Sequence, residues 1–325
     1  MEEKSFQNRV DLSSLNESLQ KIRAEIGKII VGQSHMVDLL ITAILADGHV
    51  LIEGVPGVAK TLTSKLLSRI IAVKFSRIQF TPDLMPSDVL GTSIFNMKTS
   101  AFEFKAGPIF TNICLIDEIN RAPAKTQAAL FEVMEERQVT VDGVTYSLES
   151  PYLVVATQNP VEHEGTYRLP EAQLDRFLFK IIVSYPSLEE EVTIIEGHHS
   201  RKGDAPLTEV GQVLSAEQIR HYRSLVQQVF VEQHLLRYIA QIVHDTRSNP
   251  SLFLGASPRA SVALLNGSKA YAALQGRDFV TPEDIKTIAV PVLRHRIMLT
   301  PDKEMEGVTP DEVVTQIVGK VEVPR

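Results

Sequence analysis

The chain has 325 residues, of which 44% are hydrophobic and 22% are charged, and its formal net charge is −7 at pH 7. This length exceeds that of most domains built around a single hydrophobic core and therefore predicts two domains. The negative charge and the lack of a Lys/Arg cluster argue against a broad nucleic-acid-binding face. The charged start argues against a signal peptide, and the absence of apolar runs near ~20 residues argues against a membrane span. The chain has one cysteine, Cys114, which argues against a disulfide framework. A cytoplasmic protein is therefore expected.

Alternating helical and strand patterns fill the first half of the chain. Residues 12–30 predict an amphipathic helix, and residues 37–46 predict a more buried one. A further helix is predicted over residues 125–137. Apolar runs predict five strands, over residues 49–53, 75–80, 113–116, 153–157 and 177–183. This alternation indicates an α/β fold with a doubly wound, mostly parallel sheet.

A glycine-rich loop separates the first predicted strand from a helix that carries Leu66 and Ile70 at helical spacing. This strand–loop–helix context is the one that a phosphate-binding loop requires, because free N–H groups at a helix start favour an anion. In such loops a Lys reaches the β- and γ-phosphates and a Thr hydroxyl binds Mg²⁺. The residues predicted to hold the nucleotide here are Gly54, Val55, Pro56, Gly57, Val58, Ala59, Lys60, Thr61 and Leu62.

Ala59 departs from the usual pattern, which has Gly immediately before the Lys. A methyl group fits at this position if the residue has helical dihedral angles. The departure therefore does not by itself exclude a phosphate-binding loop.

Two adjacent acids, Asp117 and Glu118, follow the apolar run Ile113–Ile116. They would lie at the carboxyl end of a buried parallel strand, where ligand sites of open α/β sheets are found. Asp117 is predicted to hold Mg²⁺ together with Thr61, directly or through water. Glu118 is predicted to orient and polarise the attacking water.

Two segments interrupt the alternation and predict β-hairpins. Residues 91–108 contain two strand-like runs around Met97-Lys98-Thr99-Ser100, and residues 138–147 flank Asp142-Gly143, a strong two-residue hairpin signal. Hairpins inserted into a parallel core usually project from it.

After Tyr185-Pro186 the strand pattern ends and helical signals take over. Ser215 opens a helix with a capping box, and Ser257-Pro258 and Thr281-Pro282 each place a capping residue before proline. We therefore expect a core domain over residues 1–184 and an all-α domain over residues 185–325.

The order of these motifs resembles that of the AAA+ ATPases, and within them the MoxR family, over nearly the whole chain. The resemblance rests on the phosphate loop, on Asp117-Glu118-Ile119-Asn120-Arg121 and on the two hairpins. It also rests on Ala156-Thr157-Gln158-Asn159-Pro160, Leu174-Asp175-Arg176-Phe177 and Gly255-Ala256-Ser257-Pro258-Arg259. It implies an αβα core with a five-stranded parallel sheet, a helical lid and ring-shaped oligomers, usually hexamers.

The resemblance also implies roles for individual residues. Asn159 matches the polar sensor that contacts the γ-phosphate or the attacking water. Arg176 matches the arginine finger that reaches a neighbouring subunit's nucleotide, and Arg259 matches the lid arginine that contacts the γ-phosphate. The run Ile30, Val31 and Gly32 matches the segment that packs against adenine. Arg121 fits the family pattern, but spacing assigns it no role.

The function implied is hydrolysis of ATP with Mg²⁺ by a homo-oligomer that remodels or matures partner proteins. Such partners often carry a von Willebrand factor A domain, and metal-cofactor insertion is a recurrent theme. A magnesium-chelatase-type motor subunit is an alternative, since it shares the inserted hairpins. A nucleic-acid translocase is a weaker one, because Lys98 and Lys105 are the only basic residues in the first hairpin region.

Overall fold

A computed structural model of the chain describes residues 10–55, 57–159, 167, 169–201 and 206–323. The predicted site residue Pro56 and the motif residue Pro160 lie outside the described residues.

The first part of the chain alternates helices and strands, as the sequence predicts. Its elements are α1 (Ser13–Gly27), α2 (Ser34–Leu45), β1 (His49–Gly54), α3 (Lys60–Ile70), β2 (Phe75–Gln79), α4 (Pro86–Leu90), β3 (Gly91–Asn96), β4 (Ala101–Ala106), β5 (Ile113–Asp117), α5 (Ala124–Glu136), β6 (Gln138–Val141), β7 (Val144–Ser147), β8 (Leu153–Gln158), α6 (Glu171–Leu174) and β9 (Phe177–Val183).

The five predicted strands form one parallel sheet in the order β2-β5-β8-β1-β9. This confirms the α/β fold class. Every residue of β5 is buried, which explains its continuous apolar sequence, since helices cover both faces of the sheet. The register pairs Glu53 with Gln158 and Gln79 with Asp117, so the carboxyl ends of β1, β8, β2 and β5 meet at one edge.

Both predicted hairpins are present. β3 pairs antiparallel with β4, and β6 pairs antiparallel with β7. Asp142 and Gly143 both have positive φ, of 50° and 78°, as the two-residue turn requires. The rings of Phe104 and Tyr146 stack with their centroids 4.2 Å apart, so the two hairpins contact each other rather than projecting separately.

The second part of the chain is mainly helical. Its helices and strands are α7 (Leu188–Ser200), α8 (Ala216–Gln227), α9 (Gln233–Ser248), β10 (Leu252–Leu254), α10 (Pro258–Leu274), α11 (Pro282–Leu293), β11 (Met298–Leu299), α12 (Pro301–Met305) and α13 (Pro310–Lys320). The capping box at Ser215 and the Pro-initiated helices α10 and α11 agree with the sequence. The short antiparallel pair β10–β11 was not predicted for this domain, which was expected to be all-α. Two or three residues are too few to show a strand period in the sequence.

The helical part packs directly on the core. One cluster of buried hydrophobic residues runs from α1, α2, α3 and one face of the sheet into α8–α11 and α13. The buried Arg296 fastens the two parts together, because its Nε donates to Asp175 Oδ1 (2.6 Å) and its guanidinium also donates to the carbonyl of Phe177 (2.6 Å). The start of β9 is thereby fixed to the lid.

Two histidines are buried in the fold, and their surroundings lower the pKa of each. Burial, reinforced by the charge of Arg137, lowers the pKa of His49 to about 3, while its ring accepts from Val154 N and bonds the carbonyl of Met134. Burial and the neighbouring Arg296 likewise place the pKa of His295 well below its usual value of 6.5. Both rings are therefore neutral in the folded state at pH values where the unfolded chain binds protons.

We expect the free energy of unfolding to keep the full contribution of both neutral histidines above pH ~6.5 and to fall as the pH drops from there toward the pKa of about 3 of His49. Within that window each histidine contributes roughly 1.4 kcal/mol per pH unit. Equilibrium urea unfolding at pH 7, 6 and 5 measures this slope. His49→Gln should be less stable than the parent at pH 7. Its free energy of unfolding should depend less steeply on pH, by the roughly 1.4 kcal/mol per pH unit that one histidine contributes. An unchanged slope in that variant would contradict the assignment.

Candidate active site

The phosphate loop connects β1 directly to α3. Lys60 is the first residue of α3, and its Nζ donates to the carbonyl of Gly54 at 2.6 Å. Burial lowers the pKa of Lys60, and the carboxylates of Asp117 and Glu118 oppose that shift. Gly57 has a φ of 89° and open space where a Cβ would project, so its backbone can approach a ligand closely.

Ala59 does not have the right-handed helical dihedral angles with which a methyl group would fit at this position. Its φ is 60° and its ψ is 17°, which is the left-handed conformation, because the chain must reverse before α3 begins. A left-handed conformation costs an L-residue with a Cβ roughly 1–2 kcal/mol. Gly, the usual residue at this position, avoids that cost. In this chain the backbone of Ala59 is strained in the loop that is predicted to bind the phosphates.

Asp117 is buried at the end of β5. Its Oδ1 accepts from Thr157 Oγ1 at 3.1 Å, and its Oδ2 accepts from Arg77 Nε at 2.6 Å. The same Thr157 hydroxyl accepts from the backbone N–H of Glu118 at 3.1 Å. Thr157, on the adjacent strand β8, therefore fixes both acids relative to the sheet.

Glu118 points away from the strand because its φ is 57°, a left-handed value. Its Oε2 accepts from Gln79 Nε2 at 2.8 Å and pairs with Arg121 Nε at 3.0 Å. The structure therefore shows that Arg121 is an ion-pair partner of Glu118, whereas spacing in the sequence assigned Arg121 no role. Gln79 and Arg77 were missed by the sequence analysis, although both are polar residues on one face of a predicted strand that ends beside the acids.

Asn159 directly follows β8 and is largely buried. Because β8 lies between β1 and β5, Asn159 leaves the sheet at the same edge as Gly54 and Asp117. The predicted phosphate loop, acidic pair and polar sensor are therefore brought together by the parallel sheet.

The segment predicted to pack against adenine lies between α1 and α2. Ile30 is buried in the core, and Gly32 has a φ of 75°. The side chain of Glu190, in the first turn of α7, lies so close to Gly32 that a Cβ there would be 2.6 Å from its carboxylate carbon. Gln33 Nε2 donates to the carbonyl of Ser184 at 3.3 Å. This segment therefore contacts the start of α7.

Arg176 and Arg259 come together, but away from the phosphate loop. Arg259 pairs with Glu135 at 2.7 Å, and Arg176 Nε lies 3.5 Å from the same carboxylate. Glu135 is in the last turn of α5. Two residues later, Arg137 donates to the carbonyl of Asp47, which lies just before the amino end of β1. The arginines thus lie at the amino ends of the strands.

The amino ends and the carboxyl ends of the strands, which form two opposite edges of the sheet, are separated by the length of a strand. β8 has six residues, which at ~3.3 Å per residue span roughly 20 Å. Within one chain, Arg259 and Arg176 are therefore placed opposite the phosphate loop. Our expectation that Arg259 contacts a γ-phosphate then requires the nucleotide of another subunit.

The side chains at the phosphate-loop edge fit a magnesium nucleotide. A Thr hydroxyl and an Asp carboxylate are hard oxygen ligands of the kind that Mg²⁺ prefers, and Mg²⁺ usually takes its remaining ligands from phosphates and water. Thr61 is in the first turn of α3, as this role requires.

No helix in the described part of the chain is long and apolar enough to cross a membrane.

Comparisons with known proteins agree with this geometry. Residues 49–179 match the family described as "ATPase family associated with various cellular activities (AAA)", and residues 244–317 match the AAA lid domain. The chain is 47% identical to the uncharacterised protein YeaC of Bacillus subtilis over 95% of its length and 96% of that protein. It is 44% identical to "Chaperone MoxR1" of Mycobacterium tuberculosis over 95% of its length and 83% of that protein. A crystal structure of a protein classed as an ATPase, from Cytophaga hutchinsonii, matches with a TM-score of 0.89 and 41% identity, over 96% of this chain and 97% of that one.

Proposed function

This chain belongs to the MoxR family of AAA+ ATPases, and on that basis we propose that it hydrolyses MgATP at the interfaces of a ring to remodel or mature partner proteins. The observation that supports the composite site is the separation of its parts. Lys60, Asp117 and Glu118 meet at one edge of the sheet, and Arg176 and Arg259 meet at the other.

Each residue at the phosphate-loop edge has a distinct proposed role. Lys60 binds the β- and γ-phosphates in place of the Gly54 carbonyl that it now contacts. Thr61 and Asp117 hold Mg²⁺, which when bound neutralises phosphate charge. Glu118 polarises the attacking water, and Asn159 orients that water or the γ-phosphate.

The arginine pair supports a homo-oligomer, which in this family is usually a hexameric ring. Phosphoryl transfer needs positive charge near the γ-phosphate in the transition state. Arg176 and Arg259 supply two such charges, and Glu135 lies beside both of them. Asp175, the neighbour of Arg176, also accepts a hydrogen bond from Ser257, two residues before Arg259. A head-to-tail neighbour would deliver both together, and contacts of the lid with the γ-phosphate would then move neighbouring subunits relative to each other.

Arg77 adds a resident cation to the metal site. Its guanidinium contacts Asp117 at 2.6 Å and would compete with Mg²⁺ for that carboxylate. Since Arg77 is half exposed, we expect Arg77→Ala to lower the Mg²⁺ concentration needed for half-maximal nucleotide binding by about two- to fivefold. A fluorescent ATP analogue titrated with Mg²⁺ measures this, with Arg77→Lys as the charge-retaining control. An unchanged or higher Mg²⁺ requirement would show that Arg77 does not compete.

The hairpins are the proposed contact with the partner protein. The β3–β4 turn, Met97-Lys98-Thr99-Ser100, is exposed, and the rings of Phe95 and Phe102 behind it pack edge to face in solvent. An exposed apolar tip on a well-formed hairpin is suited to binding another protein. The partner is proposed to carry a von Willebrand factor A domain, and the metal-cofactor insertion known in the family is one maturation step that would use it.

Replacing residues 97–100 by Gly and Ser should leave basal ATPase activity within about twofold, because all four residues are exposed. The same change should abolish retention of partner proteins by the ATP-bound protein. Affinity capture in ATP and in ADP, compared by mass spectrometry, measures this. Met305→Ser is the matched control, since Met305 is 88% exposed and Met97 is 87% exposed. Capture that survives the hairpin change and a Thr145→Ser change would make the lid the better candidate.

The same capture experiment separates the two alternatives. A magnesium-chelatase-type motor would retain tetrapyrrole-pathway proteins, and a translocase would retain nucleic acid. The formal net charge of −7 supports neither a nucleic-acid track nor a polyanionic partner.

A further inference from the structure

A single carboxylate lies between the two arginines of the composite site. Glu135 Oε1 accepts from Arg259 Nη2 at 2.7 Å, and Glu135 Oε2 lies 3.5 Å from Arg176 Nε. Each oxygen of the carboxylate therefore faces a different guanidinium. Two cations this close together repel each other, and the shared negative charge offsets that repulsion.

The two arginines come from separate parts of the fold. Arg176 lies between α6 and β9 in the core, whereas Arg259 is the second residue of α10 in the lid. No single backbone element therefore fixes the distance between the two guanidiniums. Glu135, in the last turn of α5, lies against both of them and is placed to set that distance.

Helix α5 meets the Arg176 guanidinium at two points. The guanidinium carbon lies 5.9 Å from the ring centroid of Phe131, which is fully buried and one helical turn before Glu135. Glu135 faces the inner nitrogen Nε, a buried atom that has no hydrogen-bond partner in the described part of the chain. This contact leaves the two terminal nitrogens of Arg176 to other partners.

Arg259 lies where a nearby anion is favourable. As the second residue of α10, it places a positive charge against the positive end of the helix dipole. Within one chain Glu135 supplies the compensating negative charge. The Arg259 side chain is 55% exposed and has five N–H donors, so a phosphate can reach it while Glu135 keeps its hydrogen bond.

The carboxylate is not needed to attach the lid to the core. Arg296 makes that attachment, because its side chain is 3% exposed and its Nε pairs with Asp175 at 2.6 Å. The Glu135 side chain is 37% exposed, and ion pairs this open to water contribute little to stability. The arrangement of Glu135 therefore bears on where the arginines lie more than on folding.

We propose that Glu135 is a positioning residue for ATP hydrolysis, which holds Arg176 and Arg259 at a separation that lets both reach one γ-phosphate. The proposal rests on the composite site proposed above and deepens it. Glu135 itself touches neither nucleotide nor water and acts only through the two arginines. Because a misplacement of about 1 Å can cost roughly 10²-fold in rate, its loss should appear in kcat.

Glu135→Gln keeps the shape of the side chain but carries one acceptor oxygen instead of two, so it cannot accept from both arginines. We expect kcat of the assembled protein to fall about 10- to 100-fold. KM for ATP should change less than about twofold, because Lys60 and the phosphate loop lie at the opposite edge of the sheet. Steady-state ATPase assays, at protein concentrations where turnover per chain no longer rises, measure both values.

Two further variants control for the substitution. Glu135→Asp keeps both oxygens and the charge, so it should lose less kcat than Glu135→Gln. Glu136→Gln makes the same chemical change at the next residue of α5, which is also exposed, and should keep the parental kcat.

Mixing chains shows on which subunit Glu135 acts. A Lys60→Ala chain should bind little nucleotide but carries an intact arginine pair, so it can serve the phosphate loop of a Glu135→Gln neighbour. Activity per Glu135→Gln chain should therefore rise when Lys60→Ala chains are added. A carboxylate that only maintained the fold, or that acted on the phosphate loop of its own chain, would give no such rise.

The outcomes separate this proposal from the composite site. If Arg176→Ala and Arg259→Ala lose turnover but Glu135→Gln matches Glu136→Gln, Glu135 does not position the arginines, while the composite site stands. A higher kcat in Glu135→Gln also overturns the proposal, because the carboxylate would then withhold the arginines from the nucleotide. If neither arginine variant loses turnover, the composite site and this proposal both fail.

Discussion

Glu118→Gln is expected to bind MgATP as tightly as the parent and to hydrolyse it on the order of 10²- to 10⁴-fold more slowly. The substitution keeps the shape of the side chain and its contacts with Gln79 and Arg121 can persist as hydrogen bonds, but it removes the carboxylate that polarises water. Single-turnover hydrolysis and equilibrium binding of ATP, measured separately, test both halves of this expectation.

Lys60→Ala provides the contrast. This variant should lose most nucleotide binding, because Lys60 is the cation of the phosphate loop and starts α3. If Glu118→Gln hydrolyses ATP at the parental rate, Glu118 does not activate the water. If Lys60→Ala binds ATP normally, the loop at residues 54–61 is not the phosphate site.

Arg176→Ala is expected to lower the turnover of the assembled protein by roughly 10³-fold or more, the range found for arginines that act on a neighbouring subunit. Nucleotide binding to the isolated chain should change little, since Arg176 lies at the opposite edge of the sheet from the phosphate loop. Arg259→Ala should show the same pattern, because Glu135 holds the two arginines together. Arg237→Ala, an exposed arginine on α9, is the control.

Mixing variants tests whether the arginines act between chains. Arg176→Ala and Lys60→Ala are each expected to be nearly inactive alone. In a mixture, some interfaces pair an intact phosphate loop with an intact arginine, so part of the activity should return. Activity per chain that is constant down to a demonstrable monomer would show that the site is complete within one subunit.

Much of this fold could be read from local patterns. Apolar runs, helical periods, capping boxes and the Asp142-Gly143 turn are properties of short segments, and each was located within a few residues. The phosphate loop and the acidic pair were also evident from sequence, because nucleotide chemistry requires particular residue types next to particular elements. The sequence left the conformation of Ala59 open, and the structure places this residue in the left-handed region at the reversal before α3.

The partners of the site residues were decided by the tertiary structure. No local pattern relates Arg77 to Asp117 across two strands, or Gln79 to Glu118, because those pairs depend on the order and register of the sheet. The grouping of Arg176, Arg259 and Glu135 likewise depends on α5 running back along the sheet and on the lid docking through Arg296. Sequence thus determined which chemical groups this protein carries, through local spacing, while the packing of distant segments determined that the groups divide between two edges one strand length apart.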